Sequence, residues 1–263
     1  MPASVPPAVG QMFETMIPGG VTFILYLVVR YAVSLTSFAT MQNLIYTIIQ
    51  TPLMGATANM AGMLVYCIAS KVLWLFGIHG GLVTYAAFGT IIKTTGAANV
   101  SAFAAGETVP YLEWGMVTGF TNVGMLGLSL AMIICTRSKQ YKSLGKLSLP
   151  TSLFNISEPL IFGFPLVMNP VMAIPFILSP IVSILPTVVV MQLGLVAPIT
   201  GAQVATTIPF PIWLSLMNSS VSGFIWGLVV VALNVLLYLP FVKIADRMAC
   251  SEETASEATG AQS

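Results

Sequence analysis

About five stretches of this sequence are long and apolar enough to cross a lipid bilayer, and they constrain the fold more than any other feature. A helix needs about 20 mainly apolar residues to cross the hydrocarbon core. The stretches lie at residues 13–35, 58–76, 114–136, 169–195 and 221–242. Only 6% of the 263 residues are charged, against about 25% in a soluble globular protein. The sequence therefore predicts an all-α polytopic membrane protein with about five transmembrane helices.

Other segments are apolar but interrupted by polar residues, glycine or proline. Residues 37–57 carry leucine and isoleucine at helical spacing among polar residues, which predicts an interfacial amphipathic helix. Residues 77–108 and 150–165 are broken by glycines and prolines respectively. Irregular backbone at membrane depth is tolerated only where protein or a water-filled cavity surrounds it. We therefore predict two re-entrant hairpins, with residues 194–213 completing the lining of one cavity.

Charge and cysteine content exclude several functional classes. A net charge of +1 argues against nucleic-acid binding, which needs a basic face to displace counterions from phosphates. Cys67, Cys135 and Cys250 are odd in number and widely separated, so they predict packing rather than disulfides. A single histidine gives no basis for a metal site, and no phosphate-binding or hydrolase motif is present. The sequence therefore predicts neither a metal nor a cofactor.

Basic residues near the span ends predict the orientation in the membrane. They cluster after the third and last spans, at Arg137, Lys139, Lys142, Lys146, Lys243 and Arg247. Such residues favour the cytoplasmic side, so we expect a bacterial plasma-membrane protein with a cytoplasmic C-terminus. Residues 246–263 are expected to form a polar cytoplasmic tail, of which SEETASEATGAQS at 251–263 is expected to be disordered. The tryptophans lie near predicted span ends, which is typical of an interfacial belt; they are Trp74, Trp114, Trp213 and Trp226.

Ionisable residues inside apolar segments are the candidates for chemistry, because each costs about 2.5–3.5 kcal/mol at bilayer depth on insertion scales. Glu158 lies in a proline-broken loop, where it could accept hydrogen bonds from a polar ligand or pair structurally with a lysine or an amide. His79 stands in GIHGG, where it is either a ligand-binding or a packing residue. The roles of Lys71 and Lys93 stay open.

Three separated motifs carry a family resemblance. They are MPASVPPAV at residues 1–9, LWLFGIHGG at 73–81 and LGKLSLPTSLFNISEPLIFGFPLVMNPVMAIPFILSP at 144–180. The chain resembles the lactose/cellobiose family of enzyme IIC sugar permeases, which belong to the bacterial phosphoenolpyruvate-dependent phosphotransferase system. Residues 1–245 are similar to the C-terminal, substrate-binding part of that family. The N-terminal helices, which form most of the family's dimer interface, are not among them.

The resemblance implies a site and partners. Glu158 matches the catalytic carboxylate and His79 the imidazole beside the sugar hydroxyl that is phosphorylated. The other implied sugar-binding positions are Gly80, Gly81, Asn155, Ser157, Thr206 and Thr207. Ser157 replaces the family's usual asparagine, and Ala205–Pro209 replaces a run that usually contains tryptophan. The implied partners are a disaccharide such as cellobiose or lactose, a separate IIB protein with a phosphocysteine, and a second copy in a homodimer.

Two other readings of the residues remain open. Broken helices at the membrane midplane are equally typical of a channel or a secondary transporter that does not phosphorylate its substrate. A truncated, inactive permease remnant is the other alternative. A neighbouring reading frame for a IIB protein would favour the phosphotransferase interpretation over both.

Overall fold

A computed structural model describes residues 7–45, 47, 59–164 and 166–260, and these residues contain helices and no strands, which confirms the all-α prediction. They fall into two compact units, Met1–Gly55 and Ala56–Ser263. The first unit contains α1 (Pro7–Ser34) and α2 (Met41–Ile45). The second contains α3 (Met60–Leu75), α4 (Gly80–Ala104), α5 (Leu112–Phe120), α6 (Val123–Cys135), α7 (Lys139–Leu153), α8 (Glu158–Gly163), α9 (Pro170–Gln192), α10 (Phe210–Asn218) and α11 (Val221–Gly260).

The spans predicted from hydropathy coincide with helices. Four helical stretches are long and apolar enough to cross a membrane: Glu14–Ser34, Trp114–Cys135, Pro170–Gln192 and Val221–Ser251. The shorter apolar helix α3 occupies the remaining predicted span. The stretch at Trp114–Cys135 is interrupted by a turn at Thr121 and Asn122, which separates α5 from α6. The prediction of a multi-pass membrane protein is thus confirmed.

The first predicted hairpin is wrong, because Gly80–Ala104 forms one continuous helix of 25 residues. The glycines that suggested a break are accommodated within the helix, and two of its threonines bond to the helix backbone. The hydroxyls of Thr84 and Thr95 each donate to the carbonyl four residues earlier, at 2.8 and 2.6 Å. A threonine that bonds backwards in this way satisfies its own hydroxyl and leaves the backbone helical.

The other irregular segments differ in outcome. In residues 150–165, α7 runs through Pro150 to Leu153, a turn follows, and the short helix α8 begins at Glu158. Whether this turn enters the membrane stays a prediction. Residues 193–209 are irregular as expected, apart from turns, and they connect α9 to α10. Of the predicted interfacial helix at 37–57, α2 is described, whereas residues 46 and 48–57 lie outside the described residues.

Three tryptophans lie in the interior of the second unit, so the prediction of an interfacial belt is wrong for them. Trp74, Trp114 and Trp213 are all buried. Trp114 stacks with Phe88, and Trp213 stacks with Phe210, with ring centroids 6.1 Å apart in both pairs. Aromatic rings contribute large apolar areas to a packed interior, and this contribution outweighs the interfacial preference here.

The last helix continues to Gly260, so the expected disorder of the tail is wrong for residues 251–260. Two of its carboxylates, Asp246 and Glu253, hold the start of α7. Asp246 accepts hydrogen bonds from the backbone N–H groups of Arg137 and Ser138, at 2.9–3.0 Å. Glu253, two turns further on, accepts from the Ser138 hydroxyl at 2.7 Å and from the backbone N–H of Gln140 at 3.1 Å. These bonds satisfy N–H groups that a helix N-terminus leaves without intrahelical partners.

We expect the Glu253 contact to make the stability of the chain depend on pH. The Ser138 hydroxyl, followed by the backbone N–H groups of Gln140 and Lys139, lowers the pKa of Glu253 below its usual 4.5. A carboxylate with a lowered folded pKa stabilises the fold fully above pH 4.5 and loses that effect as the pH falls through the folded pKa. Glu253→Gln should therefore lower the midpoint of thermal unfolding at pH 7 and show no deficit well below pH 4.5. A deficit of equal size at both pH values would contradict this.

Candidate functional site

The turn between α3 and α4 presents the first candidate residue. Gly77 has a φ of 75°, which favours glycine because a side chain would be strained there. The N–H of Ile78 donates to the Leu73 carbonyl at 3.1 Å, and the N–H of Gly77 donates to the Trp74 carbonyl at 3.0 Å. This is the Schellman pattern of helix termination. The chain reverses there and begins α4 directly after His79.

His79 is held on two sides. Its Nδ1 accepts a hydrogen bond from the backbone N–H of Leu82 at 3.1 Å, so the histidine caps α4. Its ring lies on that of Trp74, with 4.3 Å between the centroids. Because Nδ1 is an acceptor, the neutral ring carries its hydrogen on Nε2. The tautomer and the direction of Nε2–H are therefore both set by the local fold.

Gly80 explains how α4 can begin so close to α3. A Cβ at this position would lie 1.8 Å from the carbonyl oxygen of Ser70, so any side chain would clash with the α3 backbone. Gly80 is buried, whereas Gly81 is half-buried and a Cβ there would meet only the His79 ring, at 3.6 Å. The structure thus supports a packing role for Gly80. The sugar-binding roles of Gly80 and Gly81 stay predictions.

A second turn of the same kind ends α7. Asn155 has a φ of 61°, and its neighbour Ile156 donates to the Thr151 carbonyl at 2.9 Å. Asparagine tolerates this left-handed conformation better than most residues. The Asn155 side-chain amide donates to the carbonyls of Thr206 and Ile208, which joins this turn to the segment before α10. The amide oxygen of Asn155 is buried and has no hydrogen-bond partner among the described residues.

The two turns bring Glu158 next to His79. Glu158 is the first residue of α8, and the carbonyl of the buried Ser157 accepts from the next turn of that helix. The segment after α8 is tied to α3, because the N–H of Met168 donates to the Leu75 carbonyl at 2.8 Å. The distance from Glu158 Oε1 to His79 Nε2 is 3.5 Å, and their side chains are 44% and 43% exposed. The pair is therefore open to a ligand.

A carboxylate and an imidazole N–H at this separation suit one kind of ligand group. A hydroxyl can donate to the carboxylate oxygen while it accepts from Nε2–H. The carboxylate is also a potential proton acceptor for that hydroxyl. The arrangement can thus bind a polyol and take a proton from it.

The remaining candidate residues make no described contact with His79 or Glu158. Thr206 and Thr207 are exposed on the segment that Asn155 holds. Lys93 is exposed on α4, and the buried Lys71 lies over the ring of Phe176, with Nζ 4.4 Å from its centroid. The described residues contain no cluster of three or more His, Cys, Asp or Glu that could hold a metal ion.

Trp74 is the residue that the sequence interpretation missed. We predicted an interfacial position, yet its ring is 4% exposed and lies against both His79 and Phe162, the latter with 6.1 Å between the centroids. Trp74 lies five residues before His79, and Gly77 between them marks a turn. This spacing across a turn is the signal that could have indicated the contact between the two rings. Trp74 orients the histidine ring and is too deeply buried to be a stacking surface for a ligand.

Residues 1–180 match the family model described as "Phosphotransferase system, EIIC". The oligo-beta-mannoside-specific EIIC component of Bacillus subtilis (strain 168) is 34% identical over 270 residues, covering 100% of this chain and 61% of the relative. The lactose-specific EIICB component of Streptococcus mutans serotype c is 29% identical, covering 96% of this chain and 45% of the relative.

A solved structure is also similar. It is the crystal structure of the transporter ChbC, the IIC component from the N,N'-diacetylchitobiose-specific phosphotransferase system. The TM-score is 0.72 and the identity 35%, covering 97% of this chain and 60% of that one. The chain therefore spans about 60% of the length of the oligo-beta-mannoside-specific component and of ChbC.

Proposed function

The chain belongs to the EIIC family of the phosphotransferase system, and on this premise we propose that it binds a short oligosaccharide at His79 and Glu158 and presents it for phosphorylation by a IIB protein. The observation that carries the proposal is the open Glu158–His79 pair, 3.5 Å apart. The relatives are named for oligo-beta-mannosides, lactose and N,N'-diacetylchitobiose, which supports an oligosaccharide. We take a disaccharide such as cellobiose or lactose as the substrate.

The proposed reaction transfers a phosphoryl group from a cysteine of the IIB protein to one sugar hydroxyl. The hydroxyl donates to the Glu158 carboxylate and accepts from His79 Nε2–H, which fixes its orientation. Its oxygen attacks the phosphorus, the new P–O bond forms and the S–P bond breaks, leaving the cysteine as a thiolate. The proton of the hydroxyl passes to Glu158. A positioned base of this kind typically contributes about 10²–10⁴-fold to the rate.

The surroundings of the pair support a preformed site. His79 is fixed by its cap hydrogen bond and by Trp74, so its Nε2–H does not have to be reoriented when a ligand binds.

The partners and the orientation follow from the same proposal. The IIB protein is expected to dock from the cytoplasm, and the fused EIICB relative supports a functional pairing with a IIB component. We propose that the C-terminus is cytoplasmic, since the basic residues from Arg137 to Lys146 and those of α11 adjoin span ends. Homodimerisation stays a prediction.

Sugar binding by a His79→Ala variant tests the site. Removing one buried or half-buried hydrogen-bond partner costs about 1–3 kcal/mol, so the dissociation constant for the bound disaccharide should rise roughly 5- to 150-fold. Titration calorimetry of the purified chain in detergent, with cellobiose, lactose and N,N'-diacetylchitobiose in turn, measures this. Lys93→Ala is the matched control, because Lys93 is exposed on the same helix.

The outcomes separate clearly. We expect the control to bind like the parent chain and His79→Ala to bind more weakly. If His79→Ala binds sugar with the parental affinity, His79 only caps α4 and does not contact the sugar. A parent chain that binds none of these sugars would contradict the proposed substrate class.

A further inference from the structure

A cluster of charged side chains lines a cavity at the ends of two predicted spans, and it contains neither His79 nor Glu158. The cavity has a volume of about 410 Å³. It lies where the stretch Trp114–Cys135 ends and where the last span, Val221–Ser251, approaches its C-terminal end. Its lining consists of Cys135, Arg137, Lys243, Asp246, Arg247 and Cys250.

The lining has an excess of positive charge. Three cationic side chains face one carboxylate, and that carboxylate already accepts the backbone N–H groups of Arg137 and Ser138. No ion pair involving Arg137, Lys243 or Arg247 occurs within the described part of the chain. Lys243 and Arg247 are four residues apart on one helix, where like charges repel. An anion in the cavity would relieve this repulsion.

The depth of the cavity and its surroundings indicate which anion. Lys243 and Arg247 lie near the end of an apolar span, at the level expected for lipid headgroups. Ile244 and Met248 follow them directly in sequence and are 45% and 61% exposed, and Ile134, next to the lining residue Cys135, is 67% exposed. Ile244 and Met248 also line an adjoining, mainly apolar cavity of about 450 Å³. A cationic cavity beside exposed apolar side chains fits an amphipathic anion better than a free ion.

We propose that this cavity binds the phosphodiester headgroup of an anionic phospholipid, with its acyl chains along Ile244 and Met248. Basic pockets between membrane helices on the cytoplasmic side are a recognised form of lipid site. The proposal is independent of the sugar site, because it uses none of the same residues. It predicts a preference for phosphatidylglycerol over zwitterionic phosphatidylcholine.

Thermal unfolding in detergent micelles tests the proposal. Phosphatidylglycerol should raise the unfolding midpoint of the parent chain by ~5 °C relative to the same amount of phosphatidylcholine, as expected for a ligand well above its dissociation constant. The double variant K243Q/R247Q should lose this difference. The matched control is K142Q/K146Q, which removes the same charge from exposed positions on α7 that do not line the cavity. The control should keep the shift.

Other results would overturn the proposal. If K142Q/K146Q loses the shift as fully as K243Q/R247Q, the effect is one of general surface charge. If inorganic phosphate or glycerol 3-phosphate alone reproduces the shift, the cavity binds free anions and the lipid assignment is wrong. If K243Q/R247Q fails to fold, Arg137→Gln replaces it, because this substitution keeps the backbone hydrogen bonds from residue 137 to Asp246. Arg137→Gln is expected to weaken the shift, and native mass spectrometry should show fewer phosphatidylglycerol molecules retained on the variant. An unchanged number of retained lipids would contradict the site.

Discussion

Replacing Glu158 by glutamine is expected to abolish sugar phosphorylation while leaving the chain folded in the membrane. The amide keeps the size and the hydrogen-bonding reach of the carboxylate but cannot accept the proton of the sugar hydroxyl. Because the carboxylate is 3.5 Å from His79 Nε2 and about half-exposed, it is open to the substrate. Loss of a general base should lower the rate of phosphoryl transfer by about 10²–10⁴-fold. Membranes containing the chain, phosphorylated IIB protein and labelled disaccharide give the rate directly.

The control for this experiment is Glu107→Gln, because Glu107 is an exposed carboxylate at the other end of α4 from His79. It should phosphorylate sugar at the parental rate. Calorimetry on Glu158→Gln should show sugar binding that is retained or moderately weakened, which would separate loss of chemistry from loss of substrate. A Glu158→Gln variant with the parental rate would mean that Glu158 is not the base.

Gly80→Ala should be the most damaging single-methyl substitution near the site. Its Cβ would lie 1.8 Å from the Ser70 carbonyl oxygen, and backbone atoms on two packed helices cannot simply rotate away. The start of α4 must then shift from α3 and carry the neighbouring His79 with it. Forced overpacking typically costs about 1–3 kcal/mol, and occasionally more. We expect a lower thermal unfolding midpoint together with loss of sugar binding.

Gly81→Ala provides the matched comparison, since the same methyl group at the next position meets only the His79 ring at 3.6 Å. That variant should unfold near the parental midpoint. Equal destabilisation by both substitutions would indicate a general intolerance of alanine at this helix start, and it would contradict the steric explanation.

The hydropathy of the sequence was sufficient to locate the spans, because about twenty consecutive apolar residues in a bilayer favour a transmembrane helix, which satisfies its own backbone hydrogen bonds. The helix ends near 35, 76, 135, 192 and 221 all lie close to the predicted boundaries. The candidate residues were also visible, since an ionisable side chain in an apolar segment is costly and therefore conspicuous. The roles given to them came from the family resemblance and stay proposals.

The sequence alone did not determine which segments are continuous and which surfaces pack together. Residues 77–108 resembled a hairpin because of their glycines, yet α4 runs through them as one helix, and the glycine at its start allows close packing on α3. The tail looked disordered because a polar composition does not reveal that Glu253 would meet the start of α7. Trp74 looked interfacial because a hydropathy profile contains no information about its neighbour His79.

The Glu158–His79 pair is likewise a product of tertiary structure. Two left-handed turns, at Gly77 and Asn155, and one backbone hydrogen bond from Met168 to Leu75 bring two distant segments to 3.5 Å. The hydropathy of a segment reflects how its residues partition between water and lipid, and this is a local property of the sequence. Contacts between segments depend instead on turn geometry and on the fit of packed side chains, and these are settled only when the whole chain has folded.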